Sequence, residues 1–180
     1  MEEHQRVFKL ASIFLSYPEQ EWLETEELYS EIMQIENTLV QLLFKQFFHY
    51  LRSKPIFEIA ENYAMTFDFN AKSTLYLTYP VLGDHPERGK GLVRLKQEFL
   101  AAGCPLESDE LPDYLPLILE FCSLVQLPAV QKIWSIHKKA IESLLKELTI
   151  CDSPYQLVVQ ACIETLDHLN SKQPVSQGGP

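Results

Sequence analysis

Hydrophobic residues recur along this chain at spacings of three and four, the pattern of one face of an α-helix. Val7, Leu10, Ala11 and Phe14 are the first example, and similar stripes follow along most of the sequence. No segment alternates convincingly between apolar and polar residues over the length of a strand. The pattern therefore predicts an all-α, single-domain bundle of roughly eight or nine short helices.

Prolines, glycines and capping residues divide the pattern into segments. The first helix ends before Ser16-Tyr17-Pro18, and Asn37 is placed to cap the third. We predict an all-helical domain over residues 1–170 and a flexible, polar tail over residues 171–180. After the first helix, the predicted segments are Glu19–Ile35, Asn37–Leu51, Pro55–Phe67, Ala71 or Ser73 to Tyr79, Pro86–Leu100 closed by Gly103, Leu115–Leu127, Pro128–Leu148 and Pro154–Leu169.

The charge of the chain narrows the classes of partner. Its 25 acidic residues outnumber 15 basic ones, for a formal net charge of −10. Such a surface repels nucleic acid and anionic membranes, whereas it attracts a basic peptide. Taken by itself, the acidic composition is better explained by solubility, and attraction of a basic partner is the alternative interpretation. The chain has only 6 glycines, which argues against a glycine-rich phosphate-binding loop.

The metal-ligating residue types are scattered. The four cysteines form no CxxC pair and stand among apolar neighbours, so we expect buried, reduced thiols. The five histidines lack the spacing of a metal site, and we predict no metal and no cofactor. The acidic N-terminus does not resemble a signal peptide, and no apolar run reaches membrane-spanning length. These features predict a cytoplasmic protein without stable membrane association.

Two polar segments stand out from the helical pattern. In the segment 63–70, Asp68 lies between aromatic residues, and helix capping and ligand binding are equally good interpretations. In the segment 83–89, Asp84 and His85 superficially resemble a catalytic pair, but no nucleophile accompanies them. A structural turn with an ion pair of Arg88 is the preferred interpretation there.

A third segment, 110–116, is an acidic corner that opens a strongly apolar helix. Pro112 and its neighbours suit a first helical turn, where an amide needs no intrahelical partner, and Asp113 would face the positive end of the helix dipole. The pattern predicts a rigid corner from which Glu110, Asp113 and Tyr114 project. Beside it, we expect an apolar groove that includes Leu115, Leu119 and Cys122 and that grips a basic, amphipathic peptide.

The motifs of these segments occur in an order that resembles one family. The chain is similar to the nitrate reductase assembly chaperones of the NarJ type, within the larger TorD/DmsD group of redox-enzyme maturation proteins. The resemblance covers residues 5–150, and its most specific part lies at 111–117. The matching motifs are Tyr63-x-x-Thr66-Phe67-Asp68, Leu75-x-Leu77-Thr78-Tyr79, Gly83-Asp84-x-x-x-Arg88-Gly89 and Glu110-Leu111-Pro112-Asp113-Tyr114-Leu115-Pro116.

The resemblance implies a function that the residue patterns alone do not. It implies an all-helical chaperone without enzymatic activity that binds the N-terminal segment of the apo catalytic (alpha) subunit of respiratory nitrate reductase. The chaperone would keep that subunit competent for molybdenum cofactor insertion, delay its docking to the membrane and then leave. By position in the motifs, the implied peptide-binding residues are Glu110, Pro112, Asp113, Tyr114 and Leu115, with Asp84, Arg88, Tyr63 and Asp68 as further candidates.

Two other classes of function remain as alternatives at this point. One is a nucleotide-binding or nucleotide-hydrolysing enzyme that uses Asp84, His85 and Arg88. The other is a plain helical scaffold subunit of a stable complex. The oligomeric state is predicted to be a monomer or a domain-swapped dimer, with residues 104–113 as the hinge.

Overall fold

The computed structural model describes residues 1–105 and 109–172, and in this part of the chain it is an all-α, single-domain bundle. The predicted fold class is therefore confirmed, with ten helices in the described residues instead of eight or nine. The helices are α1 Glu3–Leu15, α2 Gln20–Glu24, α3 Glu27–Met33, α4 Thr38–Arg52, α5 Ile56–Phe67, α6 Tyr79–Leu82, α7 Pro86–Ala101, α8 Leu115–Leu124, α9 Leu127–Ile150 and α10 Gln156–Lys172.

The core lies between α1, α4, α8 and α10. Helix α1 packs most extensively against α8, and α10 packs against both α4 and α1. Phe14 of α1 contacts the rings of Phe44 and Phe47 on α4, with centroid distances of 5.7 and 5.2 Å. Tyr155, just before α10, packs on Phe47 at 5.2 Å and is almost fully buried. Burial of these large rings contributes to the hydrophobic stabilisation of the bundle.

Several predicted helix ends are confirmed by their local chemistry. The Asn37 side chain accepts hydrogen bonds from the amides of Leu39 and Val40 and so caps α4. Pro86 is the first residue of α7. Gly103 follows α7 with φ +79, a left-handed conformation that side chains with a Cβ atom rarely adopt.

The single helix predicted over Glu19–Ile35 is wrong, because the structure breaks it into α2 and α3. Thr25 ends α2 with extended backbone, φ −90 and ψ 138. Its hydroxyl then accepts a hydrogen bond from the amide of Glu27 at 3.1 Å. This local bond competes with the helical backbone bonds and lets the chain turn between the two helices.

The helix predicted from Ala71 or Ser73 to Tyr79 is also wrong. Residues 74–77 form an extended segment that pairs with the corner at 113–115. The amide of Leu77 donates to the carbonyl of Asp113 at 3.0 Å, and the amide of Leu115 donates to the carbonyl of Leu75 at 2.8 Å. Ser73, Leu75 and Leu77 are buried in alternation, which is the period of a strand.

The prediction of buried thiols is confirmed for two of the four cysteines. Cys122 and Cys162 are buried, Cys104 is half-buried, and Cys151 is exposed at the C-terminal end of α9. All four cysteines are free. Residues 171 and 172 continue α10, and the remainder of the predicted flexible tail lies outside the described residues. No helix in residues 1–105 and 109–172 is long and apolar enough to cross a membrane.

Candidate functional site: an aromatic cleft with an acidic rim

Asp113 anchors the corner from inside the protein. Its side chain is fully buried, and Oδ2 accepts hydrogen bonds from the Thr78 amide at 3.2 Å and from the Thr78 hydroxyl. The Arg88 guanidinium also donates to Oδ2, through Nη2 at 3.2 Å. The prediction that Asp113 projects from the corner is therefore wrong, because this carboxylate instead joins the corner to α7 and to the segment before α6.

Arg88 has an ion pair, as predicted, although its partner lies outside the turn. The side chain is largely buried, and Nε donates to the Thr78 hydroxyl at 3.0 Å while Nη2 reaches Asp113. The guanidinium carbon lies 5.3 Å from the centre of the Tyr79 ring, a cation–π contact. Arg88 thus fixes Tyr79 and Asp113 relative to each other.

His137 of α9 is a buried residue close enough to Asp113 for the two side chains to interact electrostatically. Burial lowers the pKa of His137, and the nearby charge of Asp113 offsets only part of that effect. The imidazole is therefore neutral at pH 7. The positive partner of Asp113 is Arg88, not His137.

The apolar groove expected from Leu115, Leu119 and Cys122 does not exist as an open surface. All three side chains are buried in the core, and Pro112 is buried beside them. Helix α8 is apolar on nearly every side and lies against α1, so it cannot also line an open groove. Of the predicted residues at the corner, Glu110 is exposed and Tyr114 is half-buried.

An open cleft lies on the other side of the corner, between the C-terminal end of α5, the extended segment and α7. It consists of two adjoining depressions that share Phe67, Asp68, Thr74 and Tyr76. The smaller depression, of about 320 Å³, is also lined by Tyr17, Tyr63, Leu75, Glu110 and Tyr114. The larger one, of about 460 Å³, is also lined by Phe69, Ala71, Tyr79, Arg88 and Leu111.

Hydrogen bonds fix the tyrosines of the smaller depression. The buried Tyr63 hydroxyl lies 3.0 Å from the Leu15 carbonyl and 3.2 Å from the Tyr114 hydroxyl. The Tyr76 hydroxyl donates to Oε2 of Glu110 at 2.9 Å, and the Tyr76 and Tyr114 rings lie 5.2 Å apart. The walls are therefore held in place by hydrogen bonds and ring contacts before any ligand binds.

The acids at the rim make the cleft electronegative. Burial raises the pKa of Tyr76 and Tyr114, and the charge of Glu110 raises both further. Burial also raises the pKa of Tyr63, and the charge of Asp68 raises it further. These phenols stay protonated at pH 7, chiefly because burial disfavours the phenolate and also because ionisation would add negative charge beside the rim carboxylates.

The residues of the enzyme alternative do not converge. Asp84 is exposed and lines neither depression, and the His85 Nδ1 atom accepts the Glu87 amide at 3.2 Å as the N-cap of α7. Arg88 points instead towards Asp113. The described residues contain no group of three or more acidic, histidine or cysteine side chains suited to a metal ion.

Five aromatic residues of the cleft are absent from the predicted site residues: Tyr17, Phe67, Phe69, Tyr76 and Tyr79. Phe67, Tyr76 and Tyr79 fall inside or at the end of a recognised motif, but the helical pattern places all three on predicted helices. Tyr17 and Phe69 follow helix ends, and their side chains are 57% and 77% exposed. Aromatic residues directly after predicted helix ends were the available signal, since large rings in turns often mark a binding surface.

No family model matches the chain. Comparison with individual known proteins nevertheless identifies its family. The chain is 30% identical over 174 residues to the probable nitrate reductase molybdenum cofactor assembly chaperone NarJ of Bacillus subtilis, covering 96% of this chain and 95% of that protein. This chain belongs to the NarJ family.

Two further relatives are similar to the chain over shorter shares of their own length. The nitrate reductase-like protein NarX of Mycobacterium tuberculosis is 33% identical over 162 residues, which are 89% of this chain and 24% of that protein. The nitrate reductase molybdenum cofactor assembly chaperone NarJ of Escherichia coli K12 is 29% identical over 127 residues, 69% of this chain and 53% of that protein.

In this NarJ-family chain, the motifs found in the sequence meet in space. The end of α5 carries Tyr63 and Asp68, Thr78 follows the extended segment directly, and the turn before α7 leads to Arg88. All of them surround the corner at 110–116, either in the cleft or in the hydrogen bonds of Asp113. Besides Asp113 itself, three predicted site residues line neither depression: Asp84 is exposed outside the cleft, and Pro112 and Leu115 are buried.

Proposed function

We propose that this protein is a dedicated, non-enzymatic assembly chaperone of respiratory nitrate reductase. It acts in the cytoplasm on the apo catalytic subunit, whose N-terminal segment it binds in the cleft. While bound, it keeps the subunit competent for molybdenum cofactor insertion and delays docking to the membrane. It leaves when maturation is complete.

One observation carries this proposal: residues of the family motifs form the wall and the support of a single open cleft. Tyr63, Asp68, Glu110, Tyr114 and Arg88 line it, and the buried Asp113 holds Arg88 in place by an ion pair. Exposed rings on a fixed scaffold suit an extended or helical peptide, which can bury its apolar side chains against them. The peptide loses conformational entropy on binding, which keeps the complex reversible.

The test measures binding of the client segment by calorimetry. The probe is a synthetic peptide with the N-terminal sequence of the nitrate reductase catalytic subunit from the same organism. We expect Phe69→Ser and Tyr17→Ser each to raise Kd about tenfold, because each removes an exposed aromatic contact from the cleft. Leu124→Ser is the matched control, since Leu124 is an exposed apolar residue of α8 outside both depressions.

The same variants connect binding with maturation. In cells that express the Tyr17→Ser, Phe69→Ser double variant, the catalytic subunit should contain less molybdenum by metal analysis than in cells with the Leu124→Ser control. Failure of the parent protein to bind the peptide, or parental affinity in both cleft variants, would contradict the proposal.

A further inference from the structure

We propose that the smaller depression of the cleft is a subsite for one cationic side chain, an arginine or a lysine, of the bound segment. This inference rests on the proposed function and adds the chemistry of the contact.

The walls of the smaller depression have the character of a cation-binding aromatic pocket. Five rings line it, and they belong to Tyr17, Tyr63, Phe67, Tyr76 and Tyr114. Tyr17 meets Tyr63 edge-on at 5.5 Å, and Tyr63 meets Phe67 edge-on at 4.9 Å, so the rings form a continuous surface. Aromatic faces carry partial negative charge, which attracts an ammonium or guanidinium group.

Two carboxylates complete the charge of this subsite. Asp68 lies at the C-terminal end of α5 and Glu110 at the start of the corner, and both are exposed lining residues. The Tyr76 hydroxyl holds Glu110 at 2.9 Å, which orients its carboxylate at the rim. Among the described residues that line the smaller depression, none is a lysine or an arginine.

The charges of the two carboxylates also reach the tyrosines of the depression. Burial raises the pKa of Tyr114, and the charges of Glu110 and Asp68 raise it further. A field that opposes a new negative charge on a phenol also stabilises a positive charge at the same place. The sign of the potential therefore agrees with the character of the walls.

The protein already holds one of its own cations in this manner. In the larger depression, Arg88 lies 5.3 Å from the centre of the Tyr79 ring and pairs with Asp113. This internal cation makes the larger depression less favourable for a second positive charge. The bound segment should therefore place its cationic side chain in the smaller depression and apolar side chains in the larger one.

A double-mutant cycle tests the subsite. Each lysine or arginine of the synthetic N-terminal peptide is replaced in turn by norleucine or citrulline, and each peptide is titrated against the parent protein and an Asp68→Asn, Glu110→Gln variant. The glutamine at position 110 can still accept the Tyr76 hydroxyl bond, so the variant removes charge and retains that contact.

We expect Kd to rise about tenfold for the charge-neutral variant with the parent peptide. One cationic position of the peptide should then account for this loss, because its neutral analogue binds the parent and the variant equally. An Asp84→Asn, Asp167→Asn variant is the control; it removes two exposed carboxylates outside both depressions and should leave Kd nearly unchanged. Near-ultraviolet circular dichroism verifies that the variants remain folded.

The outcomes separate the two proposals. If the peptide binds the parent protein but no cationic position couples to residues 68 and 110, the subsite is wrong while the proposed function stands. If the control variant loses as much affinity as the cleft variant, the effect comes from net charge and the subsite is again overturned. If the peptide does not bind the parent protein, both proposals fail.

Discussion

Asp113 shows how burial changes the meaning of a residue that the sequence singles out. Its position in the motif suggested contact with a partner, but the carboxylate is fully inside and paired with Arg88. A buried ion pair of this kind contributes geometry more reliably than net stability, since both charges lose their hydration. The pair sets the position of the corner against α7, and therefore the shape of the cleft.

A substitution at Asp113 should damage stability before it affects recognition. We expect Asp113→Asn to lower the free energy of unfolding by about 3 kcal/mol, because it leaves the largely buried Arg88 without its counter-charge. Urea denaturation followed by circular dichroism measures the change. Asp84→Asn removes an exposed carboxylate from the neighbouring turn and should change the unfolding free energy by less than about 0.5 kcal/mol. Equal stability of both variants would show that the ion pair does not brace the fold.

Among the secondary-structure elements, α5 has two faces with different roles. Ile59, Tyr63 and Phe67 recur at four-residue spacing and are buried. Phe57 and Met65 lie on the outward face and are 67% and 60% exposed. Since α5 ends in the cleft at Phe67 and Asp68, its outward face provides an apolar approach to the same site.

This outward face leads to a prediction at the scale of the helix. Met65→Ser and Phe57→Ser together should weaken client-peptide binding several-fold, because the apolar side of a peptide that extends from the cleft would lose its contact with α5. Calorimetry with the same synthetic peptide measures Kd. Ile150→Ser on α9 alters a similarly exposed apolar side chain that does not line the cleft and should bind as the parent does. Loss of affinity confined to Ile150→Ser would place the apolar contact elsewhere.

At the scale of the whole molecule, net charge affects the rate at which a charged partner associates. The chain has a formal net charge of −10, and the cleft has a negative rim. Long-range attraction then speeds the encounter with a basic segment more than it slows dissociation.

The corresponding prediction concerns the salt dependence of the rates. The association rate constant of the client peptide should fall at least tenfold between about 0.01 M and about 1 M salt, as the Debye length shrinks from about 30 to about 3 Å. The dissociation rate constant should change far less. Stopped-flow fluorescence of a labelled peptide measures both, and an association rate that is independent of salt would contradict electrostatic steering.

The sequence by itself determined the helical class, most helix ends and the group of motifs that belongs together. These are local properties: helical spacing, the Asn37 cap, Pro86 and the positive φ of Gly103 act within a few residues. Local signals failed where the chain pairs with a distant segment. Leu75 and Leu77 form backbone bonds with the corner at 113–115, so the helix expected there is replaced by extended chain.

Only the tertiary structure decided which motif residues are exposed in the cleft and which are buried. Asp113 and Glu110 are both acidic and stand three positions apart, yet one is sealed against Arg88 and the other lies at the rim of the cleft. The difference depends on α7 and the extended segment covering one side of the corner, and contacts between residues distant in sequence produce it. A side chain's exposure depends on which elements pack around it, and short-range sequence patterns do not carry that information.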